Sequence, residues 1–257
     1  MNVEGGKGIV VKLVDTHSHL YDIPEVESVL VEAGEKRIGI MGVGEEKISN
    51  KKILEISRKF PELIYPAIGL HPFLLDRLDL EDEFTWLKEH IESVFALGEV
   101  GLDYKGKVEP EKQKEVFKRL LSLAKEYHKP VIIHSRRATR DCVEIVKEMG
   151  VEKAIFHWFS GTPSLVEDII SQGAYLSVNP AIDYSHGHRK VIERAPLERL
   201  LLETDSPVPY KGKTTTPLNI TIPLRTLSKL KGMPEEDIAR ITTENFFYLI
   251  SCHSSPL

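Results

Sequence analysis

Long apolar runs are missing from this 257-residue chain, and none approaches the roughly 20 residues that a membrane-spanning helix needs. The opening MNVEGGKGIVVKLVD also lacks the apolar stretch of a secretory signal. Cysteine is nearly absent. Cys142 and Cys252 form no C-x-x-C spacing and no framework of staples. These absences predict a cytoplasmic protein kept reduced and off the membrane. Positive charge is short as well: the net charge is −5 with histidine neutral, so the chain lacks the global positive field that many nucleic-acid binders use. Any attraction for phosphate must then be local, and a pair of divalent cations would bring about four positive charges to one point. No linker, low-complexity tract or short-period repeat interrupts the chain, which predicts a single domain over residues 1–257. Nothing in the sequence specifies an oligomeric state.

What the chain does have is a rhythm. Short apolar runs recur as LVDTHSH from Leu13, RIGIMGVG from Arg37, IYPAIGLHP from Ile64, VFALGEVGLD from Val94, PVIIHSR from Pro130, KAIFHWFSG from Lys153, AYLSVNP from Ala174 and LLETDSP from Leu201. They are nearly continuous in apolar residues, as strands buried on both faces of a parallel sheet are. Between them lie polar stretches with helical spacing. In the one that starts at Pro110, Val116, Leu120, Leu123 and Tyr127 share a face, and the proline suits a first helical turn. Segments from Ser49 and Met233 read the same way. Alternating strands and helices of this number predict an α/β fold, a single (β/α)8 TIM-type barrel, with an open doubly wound sheet as the alternative.

The polar residues that interrupt this rhythm fall at one place in it. His17 and His19, His71, Glu99, His134, His157 and Asp205 each stand at the C-terminal end of an apolar run. In a parallel barrel those ends converge on the face that carries active sites. His17 and His19, two residues apart on a strand, point to the same side and can reach one ion. A lone histidine at a strand end is more often a hydrogen-bonded structural residue, but so many histidines and acids at the same end of separate strands are hard to obtain by coincidence. Imidazole nitrogen with carboxylate oxygen suits zinc, and manganese or magnesium as the carboxylate share rises. The set exceeds what one tetrahedral ion needs, so two divalent ions sharing a bridging carboxylate is the economical arrangement.

The stretches DTHSHL at Asp15, GLHP at Gly69, GEVGLDY at Gly98, PVIIHSRRA at Pro130, FHWFSG at Phe156 and LLETDSP at Leu201 resemble, in order, the motifs of the TatD family of metal-dependent deoxyribonucleases, which are amidohydrolase-like barrels. The resemblance spans nearly the whole chain. It implies that His17, His19 and Asp205 hold one metal, that His134 and His157 hold the second, and that Glu99 bridges them, where other barrels of the superfamily often use a carboxylated lysine. It places His71 beside the substrate phosphate, without the role of a constant ligand, and implies DNA as the favoured substrate. Asp205 and Glu99 are then the catalytic pair: two metals activate a shared water, and Asp205 takes its proton.

Several residues have a structural as well as a functional reading. Arg136 and Arg137 are candidate phosphate contacts, since an arginine offers a bidentate fork. Asp15 suits an orienting carboxylate behind an imidazole or a turn cap. Asp103 and Tyr104 suit support of the site or a loop turn with a packed ring. Trp158 and Phe159 suit base stacking, with packing beneath the loop favoured. His186 and His188 end no apolar run, enter a helix, and are expected at the surface. Two segments depart from the family pattern. NPAIDYSHGHRK, residues 179–190, replaces a short serine- and glycine-bearing turn, and the loop 207–220 lacks the usual R-N-x-P element. Both are expected to line the substrate mouth. A hydrolase of carboxylic esters, amides or lactones on the same site is the competing activity, and a metal-stabilised binding protein the competing class.

Overall fold

The computed structural model describes residues 9–159 and 161–251; Cys252 lies outside them. Eight strands form one parallel sheet in sequential order: β1 Leu13–Ser18, β2 Ile38–Val43, β3 Ile64–Ile68, β4 Ala96–Asp103, β5 Val131–Arg136, β6 Ala154–Phe156, β7 Tyr175–Val178 and β8 Leu200–Leu202. Around it run α1 Val26–Glu35, α2 Lys47–Lys59, α3 Leu80–His90, α4 Pro110–Glu126, α5 Thr139–Met149, α6 Ser164–Ser171, α7 His186–Arg194, α8 Thr221–Lys231 and α9 Glu235–Ile250. Every apolar run is a strand, and the helix from Pro110 begins on that proline. The helix expected from Ser49 starts two residues earlier, because the Glu46 carboxylate caps it by accepting from the backbone N–H groups of Ile48 and Ser49. No helix among the described residues is long and apolar enough to cross a membrane.

The sheet curls into a nearly closed barrel, not an open sheet. Its seam is stitched between β1 and the segment that follows β8. There the Asp205 N–H donates to the His17 carbonyl at 3.0 Å and the His19 N–H donates to the Ser206 carbonyl at 2.8 Å. The Asp15 carboxylate accepts from the Thr204 N–H at 2.8 Å and bonds the Thr204 hydroxyl at 2.6 Å. DTHSHL and LLETDSP are thus partners across the seam, and this brings His17 and His19 beside Asp205.

Side chains alternate across each strand. The outward set, including Leu13, Ile40, Leu97 and Ile133, packs under the helices. The inward set of Val14, Met41, Val43, Ala67, Ala96, Ile132, Ile155, Tyr175 and Leu201 fills the barrel, and Phe246 and Leu249 of α9 close it from the N-terminal end of the strands.

Candidate metal centre

Alternation carries the inward face directly to the site on five strands. Ala67 is followed two residues at a time by Gly69 and His71, Ile132 by His134, Ile155 by His157, Tyr175 by Ser177, and Leu201 by Glu203 and Asp205. On β1 and β4 the same count would turn His17 and Glu99 outward. A register shift intervenes in each. Asp15 to Ser18 on β1 spans only Ile40 to Gly42 on β2, and Leu97 to Val100 on β4 spans only Val131 to Ile133 on β5. One extra residue re-aims the side chain, as β-bulges beside active sites do. The glycines around Glu99 allow this approach. A Cβ on Gly69 would lie 2.4 Å from the Glu99 nitrogen, and Gly101, at φ +141°, would place one 2.1 Å from the His134 carbonyl.

Glu99, 2% exposed, is the centre of the arrangement. Its Oε2 lies 3.4 Å from His17 Nε2 and 3.5 Å from His19 Nε2. Its Oε1 lies 2.7 Å from His134 Nδ1, 3.1 Å from His157 Nε2 and 3.6 Å from His71 Nε2. Asp205 Oδ1 faces the first group, 3.6 Å from His17 Nε2 and 3.5 Å from His19 Nε2. The structure therefore brings together all six residues expected to hold metal, with His71 beside them. Asp205 sits at φ +55°, a left-handed backbone that costs a non-glycine residue free energy, and its N–H bond to His17 across the seam holds it there.

Burial opposes charge on Glu99, Asp205, His19 and His157, but the neighbours of these four outweigh it. Burial would raise the Glu99 carboxyl, yet chiefly the charge of His157, together with the His134 hydrogen bond, holds it well below the usual range. Asp205 is likewise held low, against burial, chiefly by its His19 hydrogen bond. Burial lowers His19, but Asp205 and Glu99 raise it to about 9. His157 rises well above its ordinary value, against burial, through Glu99 and Glu203. His71 differs: burial takes it down to about 3. The carboxylates thus draw positive charge into a buried space, and a divalent cation ligated by unprotonated imidazoles satisfies the same demand. Among the described residues, His17, His19 and Glu99 form one group whose donor atoms could hold an ion, His17, His157 and Glu203 another, and His71, Glu99 and His134 a third. The donor set fits divalent metal.

His71 is the weak member of that third group. Its Nδ1 accepts the Phe73 N–H at 3.1 Å, so in the neutral ring the proton sits on Nε2. The nitrogen that faces the site is then a donor, not a ligand.

Carboxylates stand behind two of the imidazoles. Asp103, 2% exposed, lies with Oδ2 3.1 Å from His134 Nε2, and its Oδ1 accepts from the Lys105 and Gly106 N–H groups. Glu203, fully buried, lies with Oε1 3.4 Å from His157 Nδ1 and accepts from the Trp158 N–H at 2.8 Å and the Ser177 hydroxyl at 2.5 Å. Sequence reasoning missed Glu203, although its place two residues before Asp205 in LLETDSP puts it on the same face. Asp15 touches no imidazole ring. It accepts from the His17 backbone N–H at 3.3 Å and belongs to the seam, where burial pushes its carboxyl up to about 8 against its hydrogen bonds.

The remaining candidates sort by position. Arg136 is half exposed at the rim, 3.9 Å from Asp103 Oδ2. Arg137 is exposed. Tyr104 turns away to donate to Asp141 at 2.6 Å. Phe159 is fully buried and packs against Phe156, whereas Trp158 is partly exposed at φ +40°. His186 is exposed, as expected. His188 is not: it is 1% exposed and its Nδ1 bonds the Phe159 carbonyl at 2.8 Å. The α7 helix turns that residue inward to satisfy a loop carbonyl, a long-range partner that local spacing does not reveal.

Comparison with known proteins agrees with this geometry. The family described as TatD related DNase matches residues 14–251. An uncharacterised metal-dependent hydrolase of Bacillus subtilis, YabD, is 38% identical over 251 residues, covering 91% of this chain and 96% of its own. The human deoxyribonuclease TATDN3 is 30% identical, covering 91% and 93% respectively. The crystal structure of the TatD homologue YJJV from Escherichia coli superposes with a TM-score of 0.86 at 29% identity, over 93% of this chain and 97% of that one. With its barrel, its clustered histidines and carboxylates and these relatives, the chain belongs to the TatD family of metal-dependent hydrolases.

Proposed function

We propose that the chain hydrolyses phosphodiester bonds of nucleic acid, DNA in preference, with two divalent ions, zinc, magnesium or manganese, that the histidines and carboxylates around Glu99 would hold. The observation that carries this reading is the division of the imidazoles by that carboxylate, His17 and His19 on Oε2, His134 and His157 on Oε1. His17, His19 and Asp205 would hold one ion, His134 and His157 the other, with Glu99 shared. Ions so held supply Lewis-acid polarisation of a phosphoryl oxygen and a water of lowered pKa.

The chain's own residues do the rest. Asp205, kept ionised by the imidazoles around it, accepts the proton of the attacking water. His71 offers its Nε2–H to a phosphate oxygen. Arg136, at the rim, offers a guanidinium to the next phosphate. Asp103 and Glu203 fix the rings of His134 and His157, as carboxylates behind metal-binding histidines do. The likeness to a human deoxyribonuclease supports the choice of substrate.

The test incubates metal-loaded protein with labelled single-stranded and duplex DNA, RNA and a panel of carboxyl esters. DNA is expected to be cleaved fastest. Chelation is expected to abolish the activity and zinc, manganese or magnesium to restore it. Full turnover by demonstrably metal-free protein overturns the mechanism. Rapid ester hydrolysis with no cleavage of any nucleic acid removes the nuclease and leaves a metal-dependent hydrolase.

A further inference from the structure

The two loops that depart from the family pattern meet beside the metal centre. The Tyr210 hydroxyl donates to the Asp183 carboxylate, and Lys211 Nζ donates to the same oxygen at 2.7 Å. This clasp joins 179–190 to 207–220. Between the joined loops lies a narrow cavity lined by Trp158, Asn179, Tyr184, Thr204, Val208 and Tyr210, among others. Trp158 directly follows His157 and Thr204 directly precedes Asp205, so the cavity adjoins the donor set. Among the described residues, no charged side chain lines it.

We propose that this cavity is a nucleobase slot, with Tyr210 as a fixed face, Tyr184 as a movable one and Asn179 as its polar contact. The proposal rests on the nuclease reading and names the part of the substrate that the loops select. Tyr184 and Tyr210 present rings whose centroids are 6.2 Å apart and whose planes are 31° from parallel. A third ring between them needs about 7 Å, two ordinary contacts of about 3.5 Å. The cavity is drawn in to ≈ 10 Å³, room for about one water. Tyr210 is held by the clasp, whereas Tyr184 is 60% exposed and must swing outward to open the closed cavity to a base. Asn179 supplies a second, independent pointer. It is fully buried, its Oδ1 accepts the Ala181 N–H at 2.9 Å, and its Nδ2 has no hydrogen-bond partner. A buried donor left unpaired is costly, and the ring nitrogens and carbonyls of a base are acceptors.

The test reads Trp158 fluorescence in zinc-loaded protein with Trp86→Phe as background, during titration with thymidine 5′-monophosphate and, separately, with 2-deoxyribose 5-phosphate. The nucleotide is expected to bind tighter by roughly 5- to 150-fold, the range of one aromatic stacking contact. Tyr184→Ala is expected to reduce that preference at least about fivefold, the loss of one stacking contact, and Tyr184→Phe, which keeps the ring, to retain it. Equal binding of the two ligands, or a preference undiminished in Tyr184→Ala, overturns the slot. A second arm compares kcat/KM on a trinucleotide with and without the base beside the scissile phosphate, the latter as a tetrahydrofuran residue. Base-dependent binding without cleavage of any nucleic acid removes the nuclease reading and keeps the slot. Cleavage indifferent to the base removes the slot and keeps the nuclease.

Discussion

At the N-terminal end of the strands, Phe246 and Leu249 close the barrel over Val14, Ala67, Ala96 and Ile132, and Tyr65 packs edge-on to Phe246 at 5.1 Å. At the opposite end of the same strands the inward positions hold histidines and carboxylates, and Asp205 and Trp158 adopt left-handed backbone. The apolar end gains from excluding water and asks nothing of its side chains but shape. The polar end must satisfy every buried group by a neighbour or a bound ion. One alternation of side chains therefore serves two purposes along its length, and a substitution should damage the purpose of the end it falls in.

The largest expected effect lies at the apolar end. Phe246→Ala should cost about 3–5 kcal/mol of stability, as buried phenylalanine truncations do. Chemical denaturation measures it, while kcat per folded molecule should stay within about twofold. A parallel collapse of kcat would mean that the plug also shapes the site, and the division between the ends would fail. Asp205→Asn tests the other end. Asparagine tolerates left-handed backbone, so the fold should persist. Turnover should fall roughly a hundredfold, about 2.7 kcal/mol at 1.36 kcal/mol per decade. Unchanged turnover with both metals bound would remove Asp205 as the base.

The two ends were not equally legible. Eight apolar runs at barrel spacing made the strands readable, because burial on both faces leaves a continuous signal in the sequence. Convergence of His134, His157 and Asp205 followed from the parallel direction alone. The inward turn of Glu99 did not, since it depends on a one-residue register shift that period counting would read as an outward position. Glu203 stood on the inward face by its spacing to Asp205, but nothing local marked its role, since its partners, the Trp158 N–H and the Ser177 hydroxyl, are far away in sequence. His188 was misplaced because a histidine in a polar helix ordinarily faces water, and only the Phe159 carbonyl explains its burial.

A smaller effect separates ligands from the carboxylates that orient them. Asp103→Asn and Glu203→Gln leave every proposed ligand in place, yet each should weaken metal binding about 10- to 100-fold by freeing the ring it faces. Competition against a chelator of known affinity measures this. If either variant binds metal as tightly as the parent, the corresponding carboxylate serves the fold and not the centre.

The smallest effect concerns a polar residue near the site that belongs, by its physics, with the apolar end. His188 is held neutral: burial lowers its pKa below the ordinary 6.5, against the Phe159 carbonyl bond and the charge of Glu203. The unfolded chain takes up a proton at 6.5 and the folded chain resists until lower pH. The stabilising contribution is therefore complete above 6.5 and is lost as pH falls from there through the folded value. In His188→Gln, whose amide can still donate to Phe159, that loss should be absent. The comparison is of melting temperatures for the two proteins from pH 7.5 to pH 5, both stripped of metal so that protonation of the ligand histidines is common to them. The gap in favour of the parent should shrink steadily as the solution is acidified. A gap constant across that range would mean that His188 is protonated equally in the folded and unfolded chains, and its place among the buried neutral groups would be lost.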